Sequence, residues 1–198
     1  MCSSDLLKLL TAVPAAAAFT WSAEEATMAA QQAQQARAQA AASNQPYKPR
    51  FFTAHEYSTV VALSDAILPK DARSGSASDS GTPEFIDYII AEQADRQTAI
   101  RGGLGWLDAQ CRARFDKTFV QCADAERRQV LDDIAWPQKA RPEMSHGVRF
   151  FNTMRDLVAT GFWSSEMGVK DLGYIGNTAV EWKGAPPEVL QKLGVSYE

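Results

Sequence analysis

Thr53-Ala54-His55-Glu56-Tyr57-Ser58-Thr59-Val60-Val61-Ala62-Leu63-Ser64-Asp65-Ala66-Ile67-Leu68-Pro69 carries its own start and stop signals. Thr53 and Glu56 stand three residues apart, the spacing of a capping box that opens a helix. Tyr57, Val60, Val61, Ser64, Ile67 and Leu68 recur at helical spacing, and Pro69 stops the run. Downstream the same period repeats. Thr82 and Pro83 mark a second helix start and cap it, with Phe85, Ile86, Ile89 and Ile90 turned inward. Leu104, Leu107, Cys111 and Phe115 form one stripe. Asp124 is expected to cap a helix carrying Val130, Leu131 and Ile134, which ends at Trp136-Pro137. Ser145 is expected to cap a fifth, with Met144, Val148, Phe151, Met154 or Arg155, and Val158 along its face. No alternating strand pattern of useful length competes with these helices. The expected class is all-α: a small domain of about five helices over residues 51–198, with a long irregular C-terminal loop segment and an N-terminal Ala/Gln-rich helix.

Two segments interrupt the helical pattern. Residues 70–81 form a polar stretch of twelve, a loop length that is uncommon without a function. After Gly161, glycines at 168, 173 and 176 and the pair Pro186-Pro187 break residues 162–187 into turns. Phe162, Trp163, Tyr174 and Trp182 ride on that second segment. Aromatics on an irregular stretch either plug their own domain or dock into a neighbour, so these four are the candidate partner-interface residues.

Upstream of the domain, residues 22–50 comprise an Ala/Gln-rich stretch and a proline linker. Ser22 and Glu25 match a capping box, and alanine and glutamine favour helix. With almost no large apolar side chains, such a helix is expected to act as a lever or tether. Residues 1–21 read as a degenerate export signal. The apolar run 6–19 is too short for a membrane span but suits the h-region of a secretory signal. Ser4-Asp5-Leu6-Leu7-Lys8 resembles the segment that follows the arginines of a twin-arginine signal, with Ser3 and Ser4 in place of the pair. A periplasmic location and no stable membrane span are therefore the expectation, and the absent arginines are the departure from it.

The 198-residue chain has 45% hydrophobic and 22% charged residues and a formal charge of −4. That balance suits one globular domain and argues against a nucleic-acid binder. Three cysteines (2, 111 and 122) make no disulfide framework. On one straight helix Cys111 and Cys122 would stand about 16 Å apart, and a bridge needs Cα atoms within about 7 Å. A turn around Asp116-Lys117-Thr118 could bring them together; two small buried thiols are the simpler expectation.

A catalytic constellation is not legible. His55 and His146 are the two histidines, and neither faces its sequence neighbour on a helix. No zinc, calcium, haem or iron–sulfur spacing occurs. Arg101-Gly102-Gly103-Leu104-Gly105-Trp106 fits neither a dinucleotide fingerprint nor a phosphate loop, and reads as a helix junction or a site of tight packing. Asp108, Asp132 and Asp133 are expected to be solvated. No catalytic, cofactor-binding or metal residue is assigned to the chain.

Three ordered segments carry a family likeness. The first runs from Phe52-Thr53-Ala54-His55-Glu56-Tyr57 through Ala66-Ile67-Leu68-Pro69 to Gly81-Thr82-Pro83-Glu84-Phe85-Ile86-Asp87. The second pairs Gly105-Trp106-Leu107-Asp108 with Asp132-Asp133-Ile134-Ala135. The third runs from Phe150-Phe151 through Gly161-Phe162-Trp163-Ser164-Ser165 to Leu172-Gly173-Tyr174-Ile175-Gly176-Asn177. Together, over roughly residues 50–185, the chain resembles the gluconate 2-dehydrogenase subunit 3 family. The resemblance implies a non-catalytic small subunit of a heteromeric dehydrogenase. Its partner would be a large flavoprotein of the glucose–methanol–choline (GMC) type, holding FAD and oxidising a sugar, glycoside or sugar acid. Electrons would pass to a cytochrome c or another acceptor. The small subunit would stabilise the large one and take part in its export. The two other readings are a transient assembly or export chaperone, and a stand-alone enzyme using His55, His146 and nearby carboxylates.

Overall fold

In the computed structural model, residues 22–173 and 185–196 are described. They form nine α-helices and two short 3-10 helices, and no strand occurs among the described residues. The helices are α1 (Ala23–Ala42), α2 (Ala54–Ile67), α3 (Ala77–Ser80), α4 (Thr82–Glu92), α5 (Ala94–Phe115), α6 (Asp124–Ala135), α7 (Ser145–Trp163), α8 (Glu166–Asp171) and α9 (Pro187–Leu193). The five expected helices are α2, α4, α5, α6 and α7. The core lies where they meet, and Leu63, Phe85, Ile86, Ile90, Leu107, Phe119, Ile134, Met154 and Leu157 are essentially inaccessible.

Local chemistry sets most boundaries. Both expected capping boxes form: Ser22 with Glu25 on α1, and Thr53 with Glu56 on α2. Three starts differ by one residue from expectation. Gly81, not Thr82, caps α4, because α3 ends directly before it and the junction requires a left-handed residue (φ 88°). A Cβ at Gly81 would also press on the Arg37 guanidinium at 2.9 Å. Ala123 occupies the cap position of α6, its N–H donating to Glu126 at 2.7 Å, while Asp124 pairs with Arg127 at 3.2 Å. Met144 caps α7, because the 3-10 turn Pro142–Met144 leads straight into it. On α7 it is Met154 that turns inward, and Arg155 stays exposed.

The interrupted segments hold more order than the sequence suggested. Within the polar stretch, Ser76 caps the one-turn helix α3, and Ala77 is fully buried. Beyond Gly161, α7 continues to Trp163, Ser165 caps α8, and α9 follows at Pro187. Helix α1 is likewise not a bare tether. Ala26, Ala29 and Ala33 bury a row of small side chains, and α1 packs mainly against α4. Alanine contributes little burial per residue, so polar pins complete the contact. Arg37 donates to the Asp79 carbonyl at 2.9 Å and approaches Glu84 at 3.7 Å.

Asp87 organises this end of the molecule. It is fully buried on α4 and accepts from the Tyr47 hydroxyl (2.8 Å) and from the backbone N–H groups of Arg50 (2.7 Å), Phe51 (3.1 Å) and Phe52 (3.1 Å). The linker between α1 and α2 is thereby fastened to the core. Arg101 clamps the same segment, donating to the Phe51 carbonyl at 2.9 Å with its guanidinium 4.2 Å from the Phe51 ring centre. Burial, reinforced by the Asp87 bond, raises the Tyr47 hydroxyl pKa.

Asp87→Ala leaves three backbone donors and a tyrosine hydroxyl without an acceptor. Each such loss costs about 1–3 kcal/mol, so the expected destabilisation is about 4 kcal/mol, a fall in Tm of roughly 10 °C. Calorimetry that finds a change of only a degree or two would remove Asp87 from this role.

Glu84 gives a pH signature. Burial raises its pKa above the ordinary 4.5, and its Oε2 has no hydrogen-bond partner. The folded state therefore holds the Glu84 proton more tightly than the unfolded chain, so proton uptake favours folding. The charged form is disfavoured above the raised folded-state pKa, and that penalty is gone below 4.5. Wild type is thus expected to gain in Tm relative to Glu84→Gln as pH falls from neutral toward that value. Parallel Tm profiles for the two proteins would contradict the assignment.

Candidate functional site

The two interrupted segments, distant in sequence, meet in the structure. Arg73, in the polar stretch, pairs with the Asp171 carboxylate of α8 at 3.2 Å and also donates to its carbonyl. A Cβ at Gly75 would lie 3.0 Å from the Met167 sulfur, so the loop and α8 are in direct contact. Helix α8 folds back over the end of α7. There a Cβ at Gly168 would run into the Phe162 carbonyl oxygen at 2.1 Å and the Trp163 Cα at 2.9 Å. Glycine at 168 is required by that approach.

The four candidate aromatics separate. Phe162 is fully buried and plugs its own domain. Its ring meets Trp163 edge-on, with centroids 4.9 Å apart and planes at 90°. Trp163 remains 39% exposed at the surface, where a partner can cover it. Tyr174 and Trp182 lie outside the described residues, which stop at Gly173 and resume at Ala185. Leu172, immediately before that gap, is 61% exposed. Trp163 and Leu172 flank α8, on the side of the fold where the polar stretch is pinned. On α9, Val189 and Leu193 are exposed and no residue of the helix is buried.

The structure also brings together one pair that the sequence kept apart. His55 Nε2 lies 2.6 Å from Asp108 Oδ2, fifty-three residues away. Asp108 is buried rather than solvated. Its other oxygen accepts the Phe119 N–H at 2.9 Å, and Arg112 approaches at 3.4 Å. A carboxylate that orients an imidazole is also the arrangement of a general base. Here the carboxylate ties α2 and α5 to the 3-10 turn Phe119–Gln121. His146 stands elsewhere, its Nδ1 3.0 Å from Arg149. The two histidines are not assembled into one site. Asp133 pairs with Arg114 at 2.7 Å, and Asp132 is exposed.

Cys111 and Cys122 are both free and buried, with the Cys122 thiol near enough to perturb that of Cys111. The turn that brings them together starts at Asp116, in the left-handed conformation (φ 57°), where the sequence placed it. Burial, together with the neighbouring thiol, pushes Cys111 up to about 12, so it is inert as a nucleophile. No group of three or more metal-ligating side chains occurs among the described residues. Nor is any described helix long and apolar enough to cross a membrane.

Three of these features had signals in the sequence. An aspartate on the inward stripe of α4, next to Ile86 and Ile90, announces a buried carboxylate that needs donors. Asp108, four residues after Leu104 and three before Cys111, says the same of α5. A polar stretch as long as 70–81 points to a docked loop. The Arg73–Asp171 pair had none, because ninety-eight residues separate its members.

No similar protein is found among curated proteins, and none among solved structures. The family described as gluconate 2-dehydrogenase subunit 3 matches residues 54–184, which take in α2 through α8 and both segments of the candidate interface. The chain belongs to the gluconate 2-dehydrogenase subunit 3 family.

Proposed function

We propose that this chain is the non-catalytic small subunit of a heteromeric FAD-dependent dehydrogenase, and that it stabilises the larger, flavin-bearing subunit. The observation that carries the reading is the surface at α8. There the family-matched segments at 70–76 and 163–172 meet, with Trp163 and Leu172 exposed. Exposed aromatic and aliphatic side chains beside a pinned loop suit a lasting contact rather than turnover. The larger subunit would be of the GMC type, oxidising a sugar, glycoside or sugar acid and delivering electrons to a cytochrome c or another acceptor. FAD would reside entirely in that subunit. The apolar run 6–19 supports a periplasmic location and a part in export.

Expressing the larger subunit with and without this chain tests the reading. Sugar-dependent dye reduction is expected to survive heating markedly better when the chain is present. Equal inactivation rates, or a mature enzyme from which the chain has departed, would replace the subunit with a transient chaperone. Turnover by the purified chain alone, abolished in His146→Ala, would instead establish an enzyme. Within the complex, Trp163→Ala is expected to weaken subunit binding by about 2 kcal/mol, as for a buried aromatic anchor. An unchanged affinity in titration calorimetry would take Trp163 out of the interface.

A further inference from the structure

A second surface, lined by neither Trp163 nor any residue of α8, has the form of a receptor for a helix. A groove of about 1040 Å³ runs between α5 and α7. Its lining residues fall at 95–106 on one helix and 146–156 on the other, a length of roughly 15 Å at 1.5 Å per residue. The floor is apolar and tightly built from Ile100, Trp106 and Phe150. A Cβ at Gly103 would overlap the Phe150 ring at 1.9 Å, and one at Gly147 would overlap the Trp106 ring at 2.3 Å, so both glycines are dictated by that floor.

Gly102 is different. It lies inside α5, lines the groove and is exposed, and a Cβ there would meet nothing within 4 Å. Packing within the chain gives no reason for glycine at 102, although glycine lowers helix stability relative to alanine. A bare backbone facing a groove lets another backbone approach closely. The charges narrow the visitor further. In a chain of net charge −4, the α7 wall presents His146, Arg149, Arg155 and Asp156, and the facing α5 wall Asp95 and Arg96, so cations outnumber carboxylates along the groove. Arg149 makes no ion pair among the described residues; its contact is with His146 Nδ1. Arg155 pairs with Asp156 at 3.4 Å, and both side chains are about half exposed.

We propose that this groove receives a helix of the larger subunit, its apolar face laid on Trp106 and Phe150 at Gly102 and its flanking carboxylates against Arg149 and Arg155. Two helices offering residues at successive turns form the seat into which a third helix packs. The inference rests on the subunit reading above and adds to it a second, separate contact surface.

The chain's two histidines provide the test, because His146 lines the groove and His55 does not. Free chain and purified complex are treated with diethyl pyrocarbonate, and each site is quantified by mass spectrometry. Complex formation is expected to reduce His146 modification at least fivefold and to change His55 little. In parallel, Gly102→Leu should leave the Tm of the free chain unchanged or higher, since leucine favours helix, yet weaken the complex at least tenfold. A complex that forms while His146 stays as reactive as in the free chain, or while Gly102→Leu binds like wild type, overturns the groove assignment and leaves the subunit reading intact. If no flavoprotein accompanies the wild-type chain, both fall together.

Discussion

Asp87 brings a carboxylate into a largely apolar core and meets the backbone N–H groups of three consecutive residues at once. A buried charge is tolerable only when its acceptor sites are filled. The chain between Tyr47 and Phe52 is therefore bound to one path. That path sets where α2 begins and where α1 can return along α4. With the path fixed, Arg101 can cover Phe51 and Arg37 can reach Asp79 and Glu84. Asp108 plays a parallel part at the other end, holding the 3-10 turn at Phe119 against α5 and fastening His55 to it. Two aspartates thus supply direction to a core whose hydrophobic contacts alone are permissive.

The helical architecture was legible because its signals are local. Capping boxes at Ser22 and Thr53, proline stops, and stripes such as Phe85-Ile86-Ile89-Ile90 depend on residues within a turn or two. What was missed depends on distance. Ala26, Ala29 and Ala33 have no visible apolar pattern of their own. They become a contact face only when α4 is laid across them. The one-residue shifts at Gly81 and Met144 arise where one turn of helix runs into the next, and the junction overrides the best capping residue.

The candidate interface divides along the same line. The sequence could nominate aromatics on a glycine-interrupted stretch, but not which of them face outward. Phe162 and Trp163 are adjacent and chemically similar, yet the first completes the core and the second is left at the surface. Nor could spacing show that residues 70–76 and 163–172 share one side of the fold; the Arg73–Asp171 pair does. The glycines at 102 and 103 look alike in sequence and differ wholly in structure, one against Phe150 and one against open space. His55 and Asp108 are likewise distant in sequence, and only the fold reveals that they meet at 2.6 Å and join α2 to α5.

Binding rather than turnover is the central claim, and one preparation tests it most directly. The tagged chain would be purified from its native host under mild conditions, then measured for mass by light scattering and for its visible absorption spectrum. The prediction is a stoichiometric heteromer with a larger chain and a flavin spectrum. A colourless chain eluting alone, under conditions that preserve other complexes of the same host, would contradict it.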